Sequence, residues 1–148
     1  MRLKDKIAII TGGGSGIGLS TAHAFCKEGA KVVLFGRRKD KLDKAAEEIG
    51  SFALPIQGDM KKNNDLDRLI SETLDNFKGI DILVNNAGVF NGAPLHEISD
   101  SQWDALMDIN IRSVFQLTKR VLPVMTAQKK GSIINISSIL GLIAVPQV

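Results

Sequence analysis

Lys6-Ile7-Ala8-Ile9-Ile10-Thr11-Gly12-Gly13-Gly14-Ser15-Gly16-Ile17-Gly18 is the stretch that decides the fold. Lys6–Thr11 is a β-branched run that reads as a strand, and a helical pattern over Ile17–Glu28 follows the glycines. Glycine is needed where a backbone turns sharply or where a Cβ would collide with a bound group. The start of the helix then offers free N–H groups and a partial positive charge to an anion. Taken alone, such a run is also compatible with a plain tight turn. Strand before and helix after, within the first thirty or so residues, is the context a phosphate-binding turn requires. No Lys-Ser/Thr pair follows the glycines, which argues against a nucleoside-triphosphate loop.

Outward from that turn, short β-branched runs alternate with longer helical patterns. Lys31–Phe35 reads as a second strand, and a charged helix covers about Lys41–Ile49. Phe52–Gln57 is a weaker strand, interrupted by Pro55. Asn64–Phe77 repeats Leu66, Leu69, Ile70, Leu74 and Phe77 at helical spacing. Asp81–Val84 and Ser132–Ile136 are two more strands, separated by one long helix over about Ser101–Gln128. This alternation predicts βαβ units and a parallel sheet covered on both faces. The apolar end, Leu140–Val148, completes neither helix nor strand and would leave Ser132–Ile136 as an open edge, so the expectation is a chain cut short.

The 148 residues are 44% apolar and 24% charged, an ordinary globular balance that excludes disordered, collagen-like and disulfide-scaffold classes. No apolar run reaches the ~18 residues of a membrane span, and the charged Met1–Lys6 start is unlike a secretory signal. With the single Cys26, this gives the expectation of a soluble, cytoplasmic chain. Residues 1–74 hold 13 Lys/Arg against 10 Asp/Glu, and residues 75–148 hold 6 of each. The excess peaks at Arg37-Arg38-Lys39-Asp40-Lys41, a cluster suited to a small anion and not to a nucleic-acid groove. The six Phe and Trp103 are spaced as core residues, and there is no tyrosine. No His, Cys or carboxylate cluster has metal-ligand spacing; His23 and His96 invite no catalytic role, and Cys26 reads as packing.

Further motifs fall at the ends of strands. After Phe35, where a dinucleotide fold would carry an acid for the ribose 2′-OH, stand Gly36, Arg37 and Arg38. Arginine pairs with a 2′-phosphate, which favours NADP(H) over NAD(H), unless the pair merely belongs to a solvated helix start. Asn85-Asn86-Ala87-Gly88 closes the fourth strand: the small residues would admit a cofactor and the amides could tie strands together, although a capped turn reads the same. Trp103, Leu106, Asn110, Val114, Leu117, Val121 and Val124 form one helical stripe, which puts the Asn110 amide on a buried face. It is either a satisfied core group or an anchor for an active-site water. Ser137-Ser138 ends the last strand, where a turn cap is the default and a crevice hydroxyl the alternative.

Together, Thr11-Gly12 with Gly16 and Gly18, Asp59, Asn85-Asn86-Ala87-Gly88, Asn110 and Ser137-Ser138 resemble the classical short-chain dehydrogenase/reductase family over the whole chain. The resemblance implies a Rossmann-type doubly wound parallel sheet of strand order 3-2-1-4-5, with residues 1–148 as a dinucleotide-binding domain incomplete at its C-terminal end. It implies that Gly12, Gly14, Ser15, Gly16, Ile17 and Gly18 hold the pyrophosphate and adenosine ribose. Arg37 and Arg38 would meet a 2′-phosphate, although Ser15 stands where many NADP-dependent members carry a second basic residue. Asp59 would accept from the adenine amino group beside Met60, and Asn86, Ala87 and Gly88 would line the ribose side. Ser138 would hold the substrate oxygen, and Asn110 would anchor a water of the proton relay.

The implied activity is interconversion of a small-molecule carbonyl and a secondary alcohol by hydride transfer. Its acid/base tyrosine, with a lysine one helical turn later, belongs about a dozen residues past the catalytic serine and is absent here, so these 148 residues are expected to be inactive. The resemblance also implies a homo-oligomer, a dimer or tetramer built on the long helix, with the Asn91–Ser99 loop near the substrate. The alternatives are a non-catalytic NADP(H)-binding relative, or an interaction protein docking through its edge strand and the Trp103 helix.

Overall fold

The computed structural model describes residues 1–90 and 92–143. Five strands form one parallel sheet of order β3-β2-β1-β4-β5. They are β1 (Ile7–Thr11), β2 (Lys31–Gly36), β3 (Ala53–Gln57), β4 (Ile82–Asn85) and β5 (Ser132–Asn135). Between them run α1 (Gly16–Lys27), α2 (Lys39–Ile49), α3 (Asn63–Phe77), α4 (Asp100–Met107) and α5 (Ser113–Gln128).

The strands are apolar on both faces because helices cover both. On one face Ala8, Ile10, Val32, Leu34 and Val84 pack with Ala22 of α1 and Leu42 and Ala45 of α2. On the other, Ile9, Val33, Phe35 and Leu83 pack with Leu66 and Leu69 of α3 and Leu117, Val121 and Met125 of α5. The residue-by-residue alternation along β1 and β2 is the strand period itself. Each fully buried Leu or Ile contributes about 2 kcal/mol by leaving water. Pro55 is tolerated because β3 is an edge strand.

At the amino ends of the strands, buried Asp81, just before β4, links β1 to the segment that leads into β5. It accepts from Ile7 N at 3.0 Å, and its other oxygen lies 2.9 Å from Lys130 Nζ. Burial pushes its carboxyl up, but the Lys130 ammonium, the Ile7 N–H and Lys6 outweigh that and hold it below the ordinary carboxylate value.

The single long helix expected over Ser101–Gln128 is instead α4 and α5 joined by a π-turn, Asp108–Arg112. A π-turn inserts one residue into the helical count and rotates the apolar face. Downstream of it the buried row is Ser113, Leu117, Val121 and Met125, whereas Val114 and Val124 are only half-buried. Upstream, Trp103 is 51% exposed and leaves the core it was expected to join. Phe52, Phe90 and Phe115 are exposed too, so core packing describes only some of the aromatics. A row of exposed apolar side chains, Trp103, Met107, Ile111 and Phe115, runs at one-turn spacing across the π-turn. β5 is an edge strand, and Ile134 within it is exposed. Residue 91 of the expected Asn91–Ser99 loop and residues 144–148 of the apolar end lie outside the described residues.

Candidate functional site

Parallel strands deliver their carboxyl ends to one edge of the sheet, and there the loops after β1, β2, β3 and β4 surround a cleft of about 380 Å³. Gly12, Gly14 and Ser15 come from the first loop, Gly36, Arg37 and Arg38 from the second, Gly58, Asp59 and Met60 from the third, and Asn86, Ala87, Gly88 and Val89 from the fourth. Lys41 and Leu42 of α2 and Ile109 of the π-turn complete the lining. The size suits a small-molecule or cofactor site, which typically measures ~300–1,000 Å³.

The glycines of the first loop meet distinct demands. Gly12 has φ +67°, and a Cβ there would lie 2.9 Å from Asn86 Nδ2. Gly18 is packed so closely that a Cβ would come within 2.4 Å of Gly12 O. Around Gly16, at φ +54°, no atom would stand within 4 Å of an added Cβ. The turn is thus braced on its inner side and open on its outer side, where α1 begins. Ser15 is the N-cap of α1 but its side chain makes no capping bond, so the first helical N–H groups face outward without an intramolecular cap.

Thr11, at the end of β1, holds the opposite wall. Its Oγ1 accepts from Asn86 N at 3.0 Å and Ala87 N at 2.9 Å, and Asn86 Nδ2 donates to Thr11 O at 2.9 Å. Asn85 does the same toward β5, donating from Nδ2 to Asn135 Oδ1 at 2.8 Å. The Asn amides therefore tie neighbouring strands at the cleft edge. In the third loop, Asp59 accepts from Lys61 N at 3.0 Å, while Met60 is buried against the core. In the second, Arg38 Nη2 donates to Ser15 Oγ at 2.8 Å, closing one corner of the cleft.

Of the residues singled out in the sequence, Gly12, Gly14, Ser15, Arg37, Arg38, Asp59, Met60, Asn86, Ala87 and Gly88 are brought together in the lining. Gly16, Ile17 and Gly18 lie beside it in the first turn of α1. Asn110 stands behind the wall, its side-chain amide paired with the backbone of Val89. Ser138 is outside the lining, exposed just past β5, where its Oγ accepts from Leu140 N at 3.2 Å and caps the short turn Ile139–Gly141. Sequence reasoning missed Thr11 as the hub of the wall, and Gly36, Lys41, Leu42, Gly58, Val89 and Ile109 as lining. Gly58 is required by packing, since a Cβ there would lie 2.4 Å from the Phe35 ring. Burial raises the half-buried Cys26 thiol to about 11, which keeps it protonated.

Among the described residues no helix is long and apolar enough to cross a membrane, and no group of three His, Cys, Asp or Glu could hold a metal ion.

Residues 6–148 match the family model described as short chain dehydrogenase. An uncharacterized oxidoreductase of Staphylococcus aureus strain MRSA252 is 40% identical over 140 residues, which are 94% of this chain and 61% of that protein. An uncharacterized oxidoreductase of Staphylococcus saprophyticus is 37% identical, over 97% of this chain and 59% of its own length. A short chain dehydrogenase from Bacillus anthracis superposes with a TM-score of 0.92 at 34% identity, over 99% of this chain and 62% of that one. A 3-ketoacyl-(acyl-carrier-protein) reductase from Brucella melitensis, solved with NADH, gives 0.94 at 34% identity, over 98% of this chain and 62% of that one. The chain thus spans about three fifths of the length of these relatives.

Proposed function

The chain belongs to the short chain dehydrogenase family, and on that premise we propose that it is the cofactor-binding part of an NAD(P)(H)-dependent oxidoreductase. The observation that carries the reading is the cleft at the carboxyl ends of β1 to β4, where a glycine turn faces three cations, Arg37, Arg38 and Lys41. The residues fit such a group: the cradle has room outside Gly16 and none inside Gly12 or Gly18.

In this reading Gly12, Gly14, Ser15 and the first N–H groups of α1, at Gly16, Ile17 and Gly18, hold the pyrophosphate. Arg37 and Arg38 pair with a 2′-phosphate, which favours NADP(H) over NAD(H). The Asp59 carboxylate accepts from the adenine amino group beside Met60, and Asn86, Ala87 and Gly88 let the backbone approach the ribose. When bound, the nicotinamide ring would give a hydride to a carbonyl carbon or accept one from an alcohol carbon. The Ser138 hydroxyl, which accepts from Leu140 N, keeps its own hydrogen to donate to the substrate oxygen. Asn110 orients the Val89 wall, and a small-molecule carbonyl or alcohol is the substrate class.

Proton transfer at neutral pH needs a group tuned toward pH 7, and the family's tyrosine is not among these residues. We therefore assign binding, but not turnover, to the 148 residues. The test is NADPH titration by ligand fluorescence together with NADPH oxidation in the presence of ketones. Saturable binding without oxidation is expected; turnover by the purified chain would overturn the second half, and no binding the first. The exposed row Trp103, Met107, Ile111 and Phe115 supports self-association through the α4–α5 face. Light scattering of Ile111→Glu, expected to be monomeric, tests it.

A further inference from the structure

Ser15 occupies the N-cap of α1 yet caps nothing. Its hydroxyl is committed elsewhere, accepting from Arg38 Nη2 at 2.8 Å across a corner of the cleft. The two residues come from different loops, Ser15 from the turn after β1 and Arg38 from the N-cap of α2, and both line the cleft. Arg38 is exposed, and a long exposed side chain loses rotamer freedom when it grips a ligand. The serine bond fixes the guanidinium beforehand and so removes that cost from binding. A guanidinium that has given up one N–H keeps the rest of its fork, and a hydroxyl that accepts one bond still has a hydrogen to donate. Three cations against one carboxylate, Asp59, make this corner suited to a dianion.

Resting on the dinucleotide reading above, we propose that Ser15 is a positioning residue that presets Arg38 for a phosphate on the adenosine ribose and thereby sets the preference for the 2′-phosphorylated cofactor. The serine then serves in place of a basic residue in the glycine turn, by aiming a cation that arrives from the next loop.

Ser15 has φ −164° and ψ 166°, extended backbone that alanine and threonine adopt equally well, and no capping bond is lost on substitution. The Ser15→Ala, Ser15→Thr and Arg38→Ala variants are therefore expected to fold, as circular dichroism would register. Calorimetric titration of the 148-residue protein with 2′,5′-ADP and with 5′-AMP separates phosphate recognition from adenosine binding. Ser15→Ala is expected to weaken 2′,5′-ADP about tenfold more than it weakens 5′-AMP, the size of one charge-assisted hydrogen bond. Ser15→Thr, which keeps the hydroxyl, restores the wild-type preference, and the Ser15→Ala/Arg38→Ala double variant loses no more than Arg38→Ala alone. Any other pattern overturns the proposal. If the wild type prefers 2′,5′-ADP and Ser15→Ala keeps that preference, the dinucleotide reading stands and the role of Ser15 falls. If the wild type binds neither nucleotide, both fall.

Discussion

Asn110 closes both ends of its amide on one residue: Oδ1 accepts from Val89 N at 2.9 Å, and Nδ2 donates to Val89 O at 2.8 Å. Val89 is part of the cleft wall, so the π-turn that carries Asn110 holds that wall in place through two bonds. Replacing Asn110 by leucine leaves a donor and an acceptor of Val89 unpaired. The expected loss is about 2 kcal/mol, because an orphaned polar group costs more than a hydrogen bond gains. Asn110→Asp should be no milder, since it sets an oxygen against Val89 O. Urea unfolding of both variants checks this; a wild-type midpoint for either would show that the clamp holds nothing.

Gly18 offers the sharpest steric test. A Cβ there would sit 2.4 Å from Gly12 O and 2.7 Å from Asn86 Nδ2. The backbone cannot swing aside as a side-chain tip can, so Gly18→Ala should cost about 1–3 kcal/mol and shift the Thr11–Asn86 contacts. Gly16→Ala meets no such neighbour and carries only the strain of φ +54°. Thermal unfolding should therefore rank Gly18→Ala below Gly16→Ala, and the reverse order would contradict the packing.

Charge at the second loop decides which dinucleotide binds. Arg37→Glu removes a cation from the lining and adds an acid that repels a 2′-phosphate and can accept from a 2′-hydroxyl. NADPH affinity is expected to fall about tenfold or more, with NADH binding retained or improved. Equal losses for both nucleotides would mean that Arg37 does not face that position.

Asp81 predicts how the fold responds to acid. Its folded-state pKa lies below the ordinary carboxylate value. The stability it contributes is thus fully present above the unfolded value near ~3.9 and is lost as pH falls through the lower, folded value. Asp81→Asn should be less stable at pH 7 by about 2 kcal/mol, the worth of a charge-assisted bond. Its deficit should shrink as pH falls through the lowered, folded-state value, where the wild type itself takes up a proton. A gap independent of pH, read from denaturant midpoints, would count against this account.

The sheet was legible because each strand carries its own signal. IAII and VVLF are apolar on consecutive residues, as two-sided burial demands, and Pro55 marked β3 as a weak strand, fitting its edge position. The cleft was legible at the glycine turn after β1 and at Asn86-Ala87-Gly88 after β4, but not at Gly36 and Gly58, which end β2 and follow β3. The π-turn was not, because one inserted residue changes neither composition nor helical spacing by enough to see, yet it divides the expected long helix into α4 and α5. The Ser15–Arg38 and Thr11–Asn86 bonds were hidden for another reason. They join residues far apart in sequence, and nothing in the identity of a serine or a threonine says which distant donor it will meet.

β1 lies at the middle of the sheet, with Ala8 opposite both Val32 and Ile82. A ribosome makes β1 first and β2 soon after, but β4 emerges only once α2, β3 and α3 have been added. At ~5–20 residues per second, the second flank of β1 stays open for several seconds of synthesis. During that interval Ala8, Ile9 and Ile10 present an unpaired, apolar edge to whatever is nearby. The strand that anchors the finished sheet is therefore the one most in need of shelter while the chain is being made, and nascent chains stalled before Ile82 should be the form that chaperones capture.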